Sequence, residues 1–139
     1  MNSGGQDVKE KMQRGQLLGA ETPSDILRRL ARHRILTPSV EEVTAYLAAH
    51  RQLARLLPNI AAQVRKELGP QVELSLEIYE DPEMDDRYLT LYVRKEKYES
   101  DILDRLQAVS EGFNPRLEKV PGYLLLATDF SRPRGIHAV

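Results

Sequence analysis

Two periodicities divide the chain. From Val72 to Tyr79 apolar residues take every second position, with Glu73, Ser75, Glu77 and Tyr79 between or beside them. From Tyr88 to Arg94 the alternation returns, with Leu89, Leu91 and Val93 on one side and Tyr88, Thr90, Tyr92 and Arg94 on the other. Period two marks a half-buried strand, because successive side chains leave a pleated backbone in opposite directions. The two runs predict a hairpin. Placing Tyr79 opposite Tyr88 sets Glu77 against Thr90, Ser75 against Tyr92 and Glu73 against Arg94, so each apolar residue faces another and the one charged pair is of opposite sign. A slip of one residue would turn the whole apolar set to water.

Elsewhere apolar positions recur at three and four residues. TPSDILRRLARHR from Thr22 has a threonine N-cap, a proline at the first helical position and Asp25 in the capping-box position; it predicts a helix burying Ile26, Leu27 and Leu30. TPSVEEVTAYLAAHR from Thr37 repeats the start signal, with Ser39 and Glu42 as its capping box and Val43, Tyr46 and Leu47 inward. Leu56, Leu57, Ile60, Ala61, Val64 and Leu68 predict a third helix, opened or bent at Pro58 and ended by Gly69 in a left-handed C′ position before Pro70. After the hairpin, Tyr98, Ile102, Leu103, Leu106, Val109 and Phe113 trace a helical face. A polar loop with Pro115 and Pro121 then leads to YLLLATDF, residues 123–130, apolar on both faces for several residues and expected to be an inner or well-covered strand.

The element order predicts an α+β fold, with N-terminal helices followed by a ββαβ unit. A right-handed crossover should lay the third strand parallel to the second and beside the first, giving a small three-stranded mixed sheet in the order 2-1-3, covered by helices on one face. Residues 1–20 read as a mobile leader, 21–131 as a single domain and 132–139 as a flexible tail.

Composition narrows the chemistry. At 139 residues, 41% apolar and net charge −1, the chain suits one domain with a core of its own. It has no cysteine and only three histidines, His33, His50 and His137, which excludes disulfides, thiolate metal sites and a cysteine nucleophile. No apolar run is long enough to span a bilayer and no signal-peptide pattern is present, so a cytoplasmic location without membrane contact is the expectation. Charge is uneven: residues 1–70 carry 11 Lys/Arg against 7 Asp/Glu, and residues 71–139 carry 9 against 14.

The acid-rich stretch EDPEMDD, residues 80–86, joins the two strands of the hairpin. Asp81, Glu83 and Asp85 fit the first ligand positions of a calcium EF-hand loop, but Asp86 stands where that loop needs glycine and Tyr92 where it needs glutamate. The stretch therefore reads as a solvated turn fixed by Asp81-Pro82, with no catalytic residue and no cofactor assigned. A second reading makes the chain a magnesium-dependent enzyme on nucleotides or nucleic acid, with Glu77, Asp85, Asp86 and Asp129 as ligands. In a third, Arg28 and Arg32 on the first helix contact nucleic acid.

The favoured reading is a non-enzymatic module that works through protein contacts, as a homodimer or as the partner of a neighbouring gene product. Tyrosine and arginine are favoured at interface centres, which singles out Tyr79, Tyr88, Tyr92 and Arg94 on the polar sheet face. The stretch LSLEIYEDPEMDDRYLTLYVR, with the helix after it, resembles short uncharacterised bacterial proteins that share a strand, an acidic DPE loop and a second strand, over about residues 60–113. Some members of that group lie beside toxin–antitoxin genes, so the resemblance points to a protein partner; it supplies no catalytic residues to carry over.

Overall fold

The computed structural model describes residues 21–135. Its elements run α1 (Pro23–Arg32), β1 (Ile35–Leu36), α2 (Val40–Ala49), α3 (Arg51–Leu68), β2 (Glu73–Asp81), β3 (Asp86–Arg94), α4 (Ile102–Leu117) and β4 (Leu124–Ala127). Thus an α+β fold is present, with four helices and one four-stranded mixed sheet, in the order β1-β2-β3-β4, among the described residues. The expected leader, residues 1–20, and the last four residues of the expected tail lie outside the described residues.

The hairpin has the register that alternation dictates, from Glu73↔Arg94 through Tyr79↔Tyr88 to Asp81↔Asp86. The sheet around it differs from the expected three strands in the order 2-1-3. β4 does run parallel to β3, but it pairs with β3 directly, Leu89↔Leu124 to Tyr92↔Ala127, and does not reach β2. The free edge of β2 is occupied by β1, which pairs parallel to it through Ile35↔Leu74 and Leu36↔Ser75. A two-residue strand is too short to announce itself by alternation, which is why the sequence hid it. β4 is an edge strand here, beside β3; Leu124 and Leu126 are buried, while Leu125 and Ala127 are only half-buried.

The core lies between one face of this sheet and the helices. Leu74, Leu76, Leu89, Leu91, Val93, Leu124 and Leu126 supply the sheet side. Leu53, Leu57, Ile60 and Val64, spaced for one face of α3, meet Ile26 and Leu30 of α1, Val43 and Leu47 of α2, and Leu106, Val109 and Phe113 of α4. Burial of each large apolar side chain stabilises the fold by about 1.5–3 kcal/mol. α1 begins as its start signal specifies: Thr22 accepts from the Asp25 N–H and Asp25 from the Thr22 N–H, both at 3.1 Å. Ser39 also precedes its helix but makes no side-chain cap, and Glu42 instead reaches Arg87 of β3 at 3.5 Å.

Two further local expectations are corrected. Gly69 ends α3 with φ +103° and ψ 158°, so its backbone is extended and not left-handed helical, yet still open only to glycine. Pro58 and Pro115 both sit within helices, α3 and α4, each removing one N–H from a helix otherwise held by its packing. Among the described residues no helix is long and apolar enough to cross a membrane.

Candidate functional site

The second face of the sheet is built from the polar half of the alternation. β2 contributes Glu73, Ser75, Glu77, Tyr79 and Asp81; β3 contributes Asp86, Tyr88, Thr90, Tyr92 and Arg94. Through the β3–β4 register, Tyr123, Leu125 and Ala127 continue the same rows. The face has two different ends.

At one end Arg94 is buried, 1% exposed, and its guanidinium is shared among carboxylates. Nε and Nη2 donate to the two oxygens of Asp129 at 3.2 and 2.9 Å, and Nη1 donates to Glu77 at 3.2 Å. Such a fork on a carboxylate is the strongest geometry available to an arginine. Burial alone would lower the Arg94 pKa, but the Asp129 hydrogen bonds and the Glu77 charge outweigh it and raise the value. The expected Glu73–Arg94 partner is at 3.9 Å, because Glu73 is engaged elsewhere: its carboxylate accepts the backbone N–H groups of Arg134 and Gly135 at 3.0 and 2.6 Å. Tyr98 supplies a third anchor, its hydroxyl accepting from the Lys95 N–H and the Thr128 hydroxyl and donating to the Ser131 carbonyl. Residues 128–135 therefore cross this end of the face, and residues 132–135, the described part of the expected flexible tail, are tied to Glu73.

Because the Arg94 hydrogen bonds hold the Asp129 carboxyl well below the usual carboxylate range, its contribution to stability depends on pH. A carboxylate with a depressed folded-state pKa stabilises the fold above its unfolded value, about 3.9, and loses that contribution as pH falls through the folded value. Asp129→Asn is expected to lower stability at pH 7 by about 1 kcal/mol, a modest figure because Asp129 is partly solvated. The gap to the unmodified chain should close in urea titrations as pH falls from 4 toward 2. A gap independent of pH would refute this account.

At the other end the face is aromatic. The Tyr79 and Tyr88 rings lie 5.2 Å apart, and Tyr123 meets Tyr88 edge-on at 5.2 Å, giving a continuous row across three strands. Tyr79 is 40% and Tyr123 55% exposed. Tyr92 lies between the two ends, with the Arg94 guanidinium 4.9 Å from its ring centre. Burial, then the neighbouring Tyr79 and Tyr123, raise the Tyr88 pKa; burial, then Glu77 and Asp129, raise that of Tyr92, so both hydroxyls are neutral donors at pH 7. Thr90, buried between these rings, has a hydroxyl with no hydrogen-bond partner among the described residues.

Of the residues singled out from sequence, Tyr79, Tyr88 and Tyr92 share this face. Arg94 shares it too but is buried and committed to carboxylates, which removes it from any contact surface. The four acids proposed as magnesium ligands separate into two pairs. Glu77 and Asp129 both hold Arg94, whereas Asp85 and Asp86 lie at the hairpin tip, about 13 Å away at four strand residues' rise. Among the described residues no three acidic or histidine side chains converge on a possible metal position. At the tip, Asp81 accepts from the Glu83 N–H at 3.0 Å and Asp85 takes φ +52°, the local geometry of a tight turn. On α1, Arg28 is paired with Asp25 and Arg32 is exposed.

Sequence reasoning missed Tyr123, Tyr98 and the crossing segment. Tyr123 has the same parity as Leu125 and Ala127, a signal that becomes useful only once β4 is known to pair with β3. A scan against protein-family models, a search of curated proteins and a search of solved structures each found no match to this chain.

Proposed function

We propose that the chain is a non-enzymatic protein-interaction module whose contact surface is the aromatic end of the second sheet face, and that its partner presents a cationic segment. The observation that carries this is the row Tyr79, Tyr88 and Tyr123, partly exposed and continuous over three strands. Large rigid rings with a hydroxyl at the tip give contact area at low entropic cost, the property that concentrates tyrosine at interface centres. The surroundings set the sign of the partner. Asp81 and Asp86 border the row on the same face, and Glu80, Glu83 and Asp85 stand at the adjacent tip. Lysine or arginine side chains laid over such rings gain cation–π attraction and meet carboxylates beyond them. The same acids repel phosphates, which argues against nucleic acid on this face in spite of its likeness to a base-stacking platform.

The test is parallel affinity capture from the native host with the unmodified chain and with a Tyr79→Ser, Tyr123→Ser double variant, followed by binding measurement on the purified partner. Both side chains are exposed, so the variant should fold. Loss of about 2 kcal/mol, roughly 30-fold, is expected for a hot-spot pair, with weakening as salt rises. A partner bound equally by both chains would overturn the reading. Concentration-dependent dimerisation abolished by the double variant would replace the cationic partner with a second copy.

A further inference from the structure

A second candidate lies behind the sheet. Between α1 and α3 runs a groove of about 450 Å³, within the size range of small-molecule sites. Leu30, Ile35, Pro58, Ala61 and Ala62 give it an apolar floor, and the charged or titratable side chains that line it, Arg65, Lys66 and His33, are all of the basic type.

Arg65 is unusual among the arginines withdrawn from water. Arg94 is tied to carboxylates and Arg29 to Glu21, but among the described residues Arg65 donates only to two backbone carbonyls, those of His33 and Val72. A guanidinium has five N–H donors. Its Nε is buried without a partner, and no carboxylate lies within salt-bridge reach among the described residues. Its charged neighbour is another cation, Arg34, itself bonded to the Pro70 carbonyl at 3.3 Å. Burial, and then Arg34, lower the Arg65 pKa, the direction expected of a cation that lacks an anion.

We infer that this groove binds a small amphipathic anion, a carboxylate or phosphate carried on an apolar body, with the apolar part along α3 and the charged end at Arg65 and Lys66. The groove accepts the body by hydrophobic burial, and the rim accepts the head by charge-assisted hydrogen bonds. It involves none of the tyrosines of the sheet face, so the two proposals stand or fall separately.

Titration calorimetry of the full chain with monomeric decanoate, decyl phosphate and decyltrimethylammonium tests it. Saturable one-to-one binding of either anion is expected, with none of the cation. Lys66→Glu, which reverses an exposed charge, and Ala62→Phe, which fills the groove from an exposed position, should each weaken binding by about tenfold or more while leaving the circular dichroism spectrum unchanged. Absence of saturable anion binding, equal binding of the cationic amphiphile, or indifference to both substitutions would overturn the inference. So would association with anionic phospholipid vesicles in the absence of decanoate and decyl phosphate binding, since that would mark a membrane-surface patch.

Discussion

Replacing Arg94 by methionine is expected to destabilise the fold by about 3 kcal/mol, as measured by urea unfolding at pH 7. The loss comes less from the ion pairs themselves than from what remains after them. Glu77 and Asp129 would be left facing each other with no cation between, and Glu73 sits close by. Removing one partner of a buried pair leaves an uncompensated charge, at about 3–5 kcal/mol; the lower figure applies here because Glu77 and Asp129 keep some contact with water. Arg94→Lys should recover part of the loss, since an ammonium restores the charge but cannot span both Asp129 oxygens and Glu77 at once. Adding Glu77→Gln to Arg94→Met should also recover part, by reducing the repulsion that the single variant creates. Proteolysis after residue 128 should quicken in the methionine variant, because Asp129 is one of the points at which the crossing segment is held. A loss below about 1 kcal/mol would mean that the carboxylates simply rehydrate, as at a surface pair.

That network also marks where the sequence ceased to be legible. Alternation decided which way every residue of the hairpin looks, and it placed Glu73 opposite Arg94. Facing positions are a local property of two strands. What occupies the space above them is not, since it depends on a segment 35 residues further on, and nothing in SRPRG announces that it crosses a sheet. Position on the polar face alone offers Arg94 as an interface residue, whereas its bonds to Asp129 and the crossing segment make it interior. For the same reason the sequence does not show that Glu77 and Asp129 converge around the Arg94 guanidinium while Asp85 and Asp86 stay at the tip.

The order of the sheet illustrates a second limit. Helical and strand periods need several residues to be distinguished, and β1 has only two. With β1 unseen, the free edge of β2 looked like the natural place for the last strand. Once Ile35 and Leu36 hold that edge, the remaining position is beside β3, and this is what carries Tyr123 next to Tyr88. The candidate face thus owes its third tyrosine to a strand on the opposite side of the sheet.

Gly122 is the hinge on which that placement turns, and Gly122→Val is expected to cost about 2–4 kcal/mol. Two separate effects add. The residue has φ +95°, a region that side chains with a branched Cβ scarcely enter. A Cβ built there would also stand 2.9 Å from Cδ2 of His50 and 3.1 Å from Cδ2 of Leu53. Neither neighbour has an easy retreat: His50 is stacked on Tyr46 at 4.2 Å, and Leu53 is fully buried in the core. The strain passes directly to Tyr123, whose N–H donates to the Tyr46 hydroxyl at 3.0 Å and whose carbonyl accepts from Leu89 at 3.1 Å. Displacing the turn would break both bonds and shift β4 against β3, so the variant should lose partner binding along with stability. Gly122→Ala should show the same effects at smaller size. If both variants unfold at the urea concentration of the unmodified chain, the turn is free to relax and Gly122 does not fix the tyrosine row.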